Sequence, residues 1–227
     1  PLYTATGLAI VAVIIIARYL PNDRSATGRQ KDQKKLATFD KRVRGLLMCS
    51  ACAFTGFAGI QQTLAFRLQD MLLLTGTETA QHMGICLMVA ALMTLTMQLT
   101  IAQRFQGAPV ILLRIGVVLM LLGSLIVAAA SSFAPILVGM ASMGAGLGLA
   151  APGIAAGASL AVTPQEQGSV AGLVTAFPAA GFVLGPVICG SLYTYDPTMS
   201  ALSASVMLLV ALFIALRGSR LRRRNRL

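Results

Sequence analysis

The sequence predicts an all-α membrane protein, a polytopic bundle of about seven transmembrane helices. Three observations carry this. Hydrophobic residues fill 56% of the 227 positions and charged residues 11%, with a mean hydropathy of +0.80. A soluble domain has roughly a quarter of its residues charged. The charges present are clustered, so that Gly45–Phe66 and Ile115–Ala130 contain none. The apolar runs are also continuous, where a β-barrel would alternate.

Seven runs read as spans: Leu2–Leu20, Gly45–Phe66, Thr79–Ala102, Ala108–Ala130, Phe133–Leu160, Pro164–Tyr193 and Thr198–Leu216. Most reach the ~20 residues that cross a hydrocarbon core. The sixth is longer and includes turns outside the bilayer. Basic residues set the orientation. Eight of the 18 lie between Arg24 and Arg44, and six between Arg217 and Arg226. The segments Pro21–Arg44 and Gln103–Gly107 and the tail from Arg217 therefore face the cytoplasm. Arg67 is the loop cation of the opposite side, and the first span starts outside. The Ala161–Gly168 loop belongs on the cytoplasmic side although it has no basic residue.

The same distribution argues against nucleic acid as a partner. The net charge of +11 sits at the flanks of apolar spans, where cations meet anionic headgroups. The lipid bilayer is the partner this implies. Pro21–Arg44 mixes both signs of charge and reads as a flexible or surface-lying connector. A chain that starts at Pro1 and runs at once into an apolar segment, with no basic stretch before it, is expected to be a fragment or a cleaved product.

Cys49-Ser-Ala-Cys52 has the spacing of a metal or redox site. It lacks further ligands, since His82 is the sole histidine, and small residues packing in a membrane helix explain it better. No metal site or cofactor is predicted. Thr163-Pro-Gln-Glu166 reads as a helix start, with Thr163 as N-cap, Pro164 in the first turn and Glu166 closing a capping box.

The fifth and sixth spans are rich in glycine, and prolines 152, 178 and 186 interrupt them. Gly144-Ala-Gly-Leu-Gly148 has no strand before it and is not a nucleotide loop. Gly181-x-x-x-Gly185, followed by Pro186, has the spacing that brings helix backbones close. Bent, closely packed helices suit a protein whose helices rock against each other.

The succession Pro152-Gly-Ile-Ala-Ala-Gly157, Thr163-Pro-Gln-Glu-Gln-Gly168, Gly181-x-x-x-Gly185-Pro186 and Gly190-Ser-Leu-Tyr193 resembles the end of a major facilitator superfamily transporter. It is most similar to the drug:proton antiporter branch, and the resemblance covers the whole chain. It implies that residues 1–20 are the last helix of an N-terminal half and 21–44 the central cytoplasmic linker. Residues 45–217 would be the six-helix C-terminal half and 218–227 a basic cytoplasmic tail. It further implies halves built from inverted three-helix repeats, with the substrate bound between the halves. The cytoplasmic loop motif of the family, G-x-x-x-D-R-x-G-R-R, is eroded here: Gln103 replaces the aspartate and Arg104 alone survives. Arg104, Gly181, Gly185 and Pro186 are the expected gating and helix-packing residues.

By the resemblance the second, third, fifth and sixth spans line the cavity, and the fourth and seventh are peripheral. Phe54, Ala58, Gln61 and Ala65 share one face of the second span. Phe54, Gln61, Gln62, Met143 and Phe177 are the expected substrate-contacting residues. Gln61 and Gln62 serve equally well as interhelical hydrogen-bonding groups, and Met143 and Phe177 as packing. Arg67 with Asp70, and Glu78 with His82, read as interfacial pairs or as a proton-sensitive outer gate. No carboxylate lies deep in a span, so a proton-binding group would belong to the other half.

The resulting expectation is part of a proton-driven exporter of small organic molecules in the inner cell membrane, with its C-terminus cytoplasmic. An enzyme is not expected, for want of a nucleophile–base set. A seven-helix receptor and an inactive truncated transporter are the alternatives. A retinal protein is excluded because all four lysines lie in the linker.

Overall fold

The computed structural model describes residues 2–19, 36–37 and 40–224. The chain divides into two compact units, Pro1–Lys34 and Lys35–Leu227. The first contains α1, Leu2–Tyr19, whose continuous apolar stretch is Ala9–Tyr19. The helix ends one residue short of the expected span Leu2–Leu20. Most of the Pro21–Arg44 connector and the last three residues of the tail lie outside the described residues.

The second unit contains six long helices. They are α2 (Arg44–Leu72), α3 (Gly76–Met97), α4 (Pro109–Ala129), α5 (Phe133–Ser159), α6 (Gln167–Tyr193) and α7 (Pro197–Arg224). A π-helical turn, Gln98–Ala102, prolongs α3, and a 3-10 turn, Pro164–Glu166, precedes α6. Among the described helices, five are long and apolar enough to cross a membrane, α3 to α7. The protein is an integral, multi-pass membrane protein. At 29 residues, α2 is long enough, but Gln61, Gln62, Arg67 and Asp70 make it less apolar.

Helix ends follow their local chemistry. At α3, the Thr75 hydroxyl accepts from the Glu78 backbone N–H while the Glu78 carboxylate accepts from the Thr75 N–H. Thr163 and Glu166 form the same reciprocal box, as the sequence spacing predicts. At the end of α2, Leu73 is left-handed with φ 53°, a conformation that costs a β-carbon-bearing residue about 1–2 kcal/mol. Its N–H caps the Gln69 carbonyl.

Two glycine-lined seams assemble the unit. Along α4 and α5, Gly116 and Gly123 face Gly139, Gly146 and Gly153. A Cβ on Gly116 would lie 2.5 Å from the Gly146 carbonyl oxygen, and one on Gly146 2.7 Å from the Met120 nitrogen. Along α2 and α6, a Cβ on Gly185 would lie 2.6 Å from the Thr55 oxygen and 2.7 Å from the Gly59 nitrogen. Only hydrogen fits at such sites, which is why the low helix propensity of glycine is tolerated.

The layout repeats. Helix α2 lies against α6 and α7, α5 lies against α3 and α4, and α4 touches α7. Exchanging α2–α4 with α5–α7 reproduces the pattern. The small-residue contacts repeat as well: Gly181-x-x-x-Gly185 meets Thr55 and Gly59, and Gly144-x-x-x-Gly148 meets Ala90 and Thr94. Short turns make successive helices antiparallel, so α2 and α5 run in opposite directions and the two triplets are inverted repeats.

Polar bonds reinforce the seams. Thr94 bonds the Gly144 carbonyl at 2.8 Å and Ser142 the Leu119 carbonyl at 2.8 Å. Three serines of α7 reach three different helices: Ser200 to Thr63 of α2, Ser203 to Cys189 of α6, and Ser205 to Ser124 of α4. Cys49 donates to the Ala211 carbonyl, which makes the Cys49–Cys52 pair part of helix packing.

Candidate functional site

Open apolar surface is unevenly distributed. Of the most apolar 18-residue stretch of each helix, 56% is buried in α5 and 44% in α4, against 17% in α6 and 11% in α3. On α3 and its π-helical extension, Met88, Leu92, Leu95 and Leu99 form an exposed stripe, and on α6 Phe182, Val183, Leu184 and Val187 are exposed. Of the four helices expected to line a cavity, α3 and α6 carry broad open faces. The other two, α2 and α5, are enclosed along their middles by helices of their own unit.

The five expected substrate-contacting residues do not converge. Phe54 is half-buried, with its ring centroid 5.8 Å from that of Phe182. Ala58, on the same face, is buried under Gly185, so this part of the face meets α6. Gln61 is half-exposed and Gln62 exposed. Met143 is fully enclosed between α4 and α5 beside Gly123, which corrects its expected place on a cavity wall. Phe177 joins an apolar cluster with Leu36, Val43, Leu47, Ala158 and Val170, away from the glutamines. A side chain's apolarity is visible in sequence, but which helix covers it is not.

The expected packing residues behave differently from the expected gate. Gly181 and Gly185 meet the α2 backbone, and α6 runs through Pro178 and Pro186 as one helix. Arg104 is exposed, just beyond the π-helical turn. The charge that engages the loop before α6 comes from the connector instead. Arg42 bonds both carboxylate oxygens of Glu166 at 3.0 and 2.9 Å while also bonding Asp40. The Leu36 N–H donates to the Ser169 hydroxyl. The end of the connector is thus strapped across the start of α6. The Arg42 guanidinium holds the Asp40 carboxyl below the usual carboxylate range, and its two carboxylate partners raise Arg42. Sequence spacing gave no sign of this pair, whose members lie 124 residues apart.

At the opposite end, the expected pairs i, i+3 and i, i+4 are not ion pairs. The ion pairs of the described residues are Arg42 with Asp40 and with Glu166. Arg67 instead donates to the carbonyls of Ala128 and Ala130 at 3.0 Å and to that of Pro197 at 3.4 Å. Asp70 accepts from the Tyr193 hydroxyl at 2.6 Å. Glu78 is committed to its cap, and His82 bonds the Glu78 carbonyl and sets its ring edge-on to Phe133, 4.7 Å away. The C-terminus of α4 exposes carbonyls, and a cation in the right turn satisfies them before it finds a carboxylate. Among the described residues, no group of three or more His, Cys, Asp or Glu could hold a metal.

No family model matches the sequence, and no curated protein matches it. The structure, however, is similar to the crystal structure of the human organic anion transporter MFSD10 (TETRAN). The TM-score is 0.68 at 18% identity, over 77% of this chain. The fold is of the major facilitator type. The match takes up 41% of the MFSD10 chain, so this chain spans less than half the length of that transporter.

Proposed function

We propose that the chain is the C-terminal half, with the last helix of the N-terminal half, of a secondary transporter that moves small organic molecules by alternating access. The observation that supports this best is the division of labour among the helices. Glycine seams join α5 to α3 and α4 and join α2 to α6, and serines tie α7 to its neighbours, so each helix is fixed on its inner side. The faces of α3 and α6 remain apolar and open, as is required of helices that slide along another half around a shared site. The substrate class proposed is small organic molecules, organic anions included, by analogy with the transporter of similar fold. The drug-efflux reading, the coupling to a proton gradient and the cytoplasmic placement of the C-terminus rest on the sequence resemblance and the basic flanks.

Phe54, Gln61 and Gln62 are retained as the substrate-facing candidates on α2. Met143 is not. The proton-carrying group is assigned to the other half, since no carboxylate lies in the middle of any described helix.

The test is to isolate the native polypeptide that contains this chain, reconstitute it in liposomes and measure accumulation of a fluorescent organic anion with and without an imposed pH gradient. Gradient-driven accumulation, lost on Gly185→Leu and absent for the 227-residue chain alone, is expected. A native polypeptide no larger than this chain, or accumulation indifferent to the gradient, would refute the half-transporter or the proton-coupling reading respectively.

A further inference from the structure

The last turns of α7 bury Ala211 and Ala215 in the core, but neither the core nor the transport reading uses their outward side. That side carries a shallow groove of about 390 Å³ lined by Leu209, Val210, Leu212, Phe213 and Leu216. That is at the small end of the roughly 300–1,000 Å³ of ligand sites, yet such sites place a few polar groups among apolar ones to orient their ligand. Here the lining side chains are entirely apolar and belong to one helix. Leu209, Phe213 and Leu216 are about half exposed, so the groove opens sideways, toward the region a bilayer occupies.

Charge gathers at one end of this groove. Arg217 lies one turn beyond Phe213, with its guanidinium carbon 4.3 Å from the ring centroid, a cation–π contact that holds it at the mouth. Arg114 of α4 reaches the same level, donating to the Ala215 carbonyl at 3.1 and 3.2 Å. The candidate span ends at Arg217, but α7 continues to Arg224. Those seven residues add about 10 Å of helix, and residues 217–226 contain six arginines. No acidic residue follows Asp196.

We propose that this end of α7 is a binding site for an anionic phospholipid, with an acyl chain in the groove and the phosphate on Arg217. The argument is complementarity in both parts of the ligand. A hydrocarbon chain needs no polar partner and fits a laterally open apolar groove. A guanidinium at its mouth offers paired N–H donors that match phosphate oxygens. The neighbouring positive charge, in a stretch of chain with no acidic residue after Asp196, favours a net negative headgroup over a zwitterionic one, each cation near the surface contributing about fivefold. The proposal does not depend on the transport reading.

The test uses the full chain in nanodiscs of phosphatidylcholine and phosphatidylglycerol at 4:1, followed by release into detergent and native mass spectrometry of retained lipid. Phosphatidylglycerol should be retained at least about fivefold over phosphatidylcholine. R217Q should lower that preference about fivefold, F213A should reduce retention of both lipids, and R104Q, which changes an exposed cation of another helix end, should leave the preference intact. Equal retention of the two lipids, or a preference unchanged in R217Q, overturns the proposal. So does displacement by inorganic phosphate with no effect of F213A, which would make the site a bare anion site. A dimer that F213A converts to monomer would overturn it too, by assigning the groove to a second copy.

Discussion

Helices α5 and α6 are both glycine-rich and both contain proline, yet they are held in different ways. In α5 the glycines occupy two faces. Gly139, Gly146 and Gly153 meet α4, while Gly144 and Gly148 meet α3. In α6 the close contacts fall on one face, where Gly181 and Gly185 meet α2, and a Cβ on Gly172 or Gly190 would meet nothing within 4 Å. The difference teaches that glycine content alone does not signal mobility. Glycine on two faces makes a helix a structural axle, whereas glycine on one face fastens a helix along a single edge and leaves its other side open to a partner.

Substitutions can break or sharpen that contrast. Gly146→Leu should have the largest effect. The added side chain meets the backbone of α4, which cannot move aside, and a loss of about 3 kcal/mol or more is expected. Thermal unfolding in detergent should show little folded monomer. Gly185→Leu should cost less, about 1–3 kcal/mol, because α6 can swing off α2 along its one seam. Its signature should be lost transport in a protein that still folds. Equal unfolding temperatures for the two variants would dissolve the distinction between axle and edge.

The strap gives a third, smaller effect. Besides its seam with α2, α6 is held at its start by Arg42 on Glu166 and by Leu36 on Ser169. Asp40, which positions Arg42, has a lowered folded pKa, so its contribution is fully present above the ordinary carboxylate pKa near 4. It fades as pH falls through the lower folded value. Protease protection of residues 36–44 should therefore persist at neutral pH and decline in acid. Arg42→Gln should abolish the dependence, and protection unchanged by that variant would show that the apolar cluster holds the strap alone. The smallest effect should be the gain from Gly172→Ala, about 0.5–1 kcal/mol, since nothing opposes the new methyl group on the open side of α6.

Much of the fold is legible in the sequence because spans, caps and small-residue spacing are local signals. The expected run Phe133–Leu160 and the observed Phe133–Ser159 differ by one residue, and the Thr163–Glu166 box lies where its spacing places it. Gly181-x-x-x-Gly185 announces a close approach without naming the partner helix. The candidate site is less legible. Met143 looks like cavity wall and is core, because the hydropathy of a membrane helix is much the same toward lipid, cavity and neighbour. Gln61 and Gln62 are visible as polar groups in a span, but their exposure depends on how α2 is rotated. Arg67 and Asp70 suggest each other by spacing and choose other partners, since carbonyls at the ends of α4 and α7 and the hydroxyl of Tyr193 come near only when the chain is folded.

Arg67 has a mechanical consequence. One guanidinium gathers the tip of α2, the last turn of α4 and the first residue of α7. Those three ends then form a rigid tripod. In the transport cycle proposed above, motion on that side of the membrane would pivot about the tripod as a whole, and a neutral residue at position 67 would turn one stiff fulcrum into three loose joints.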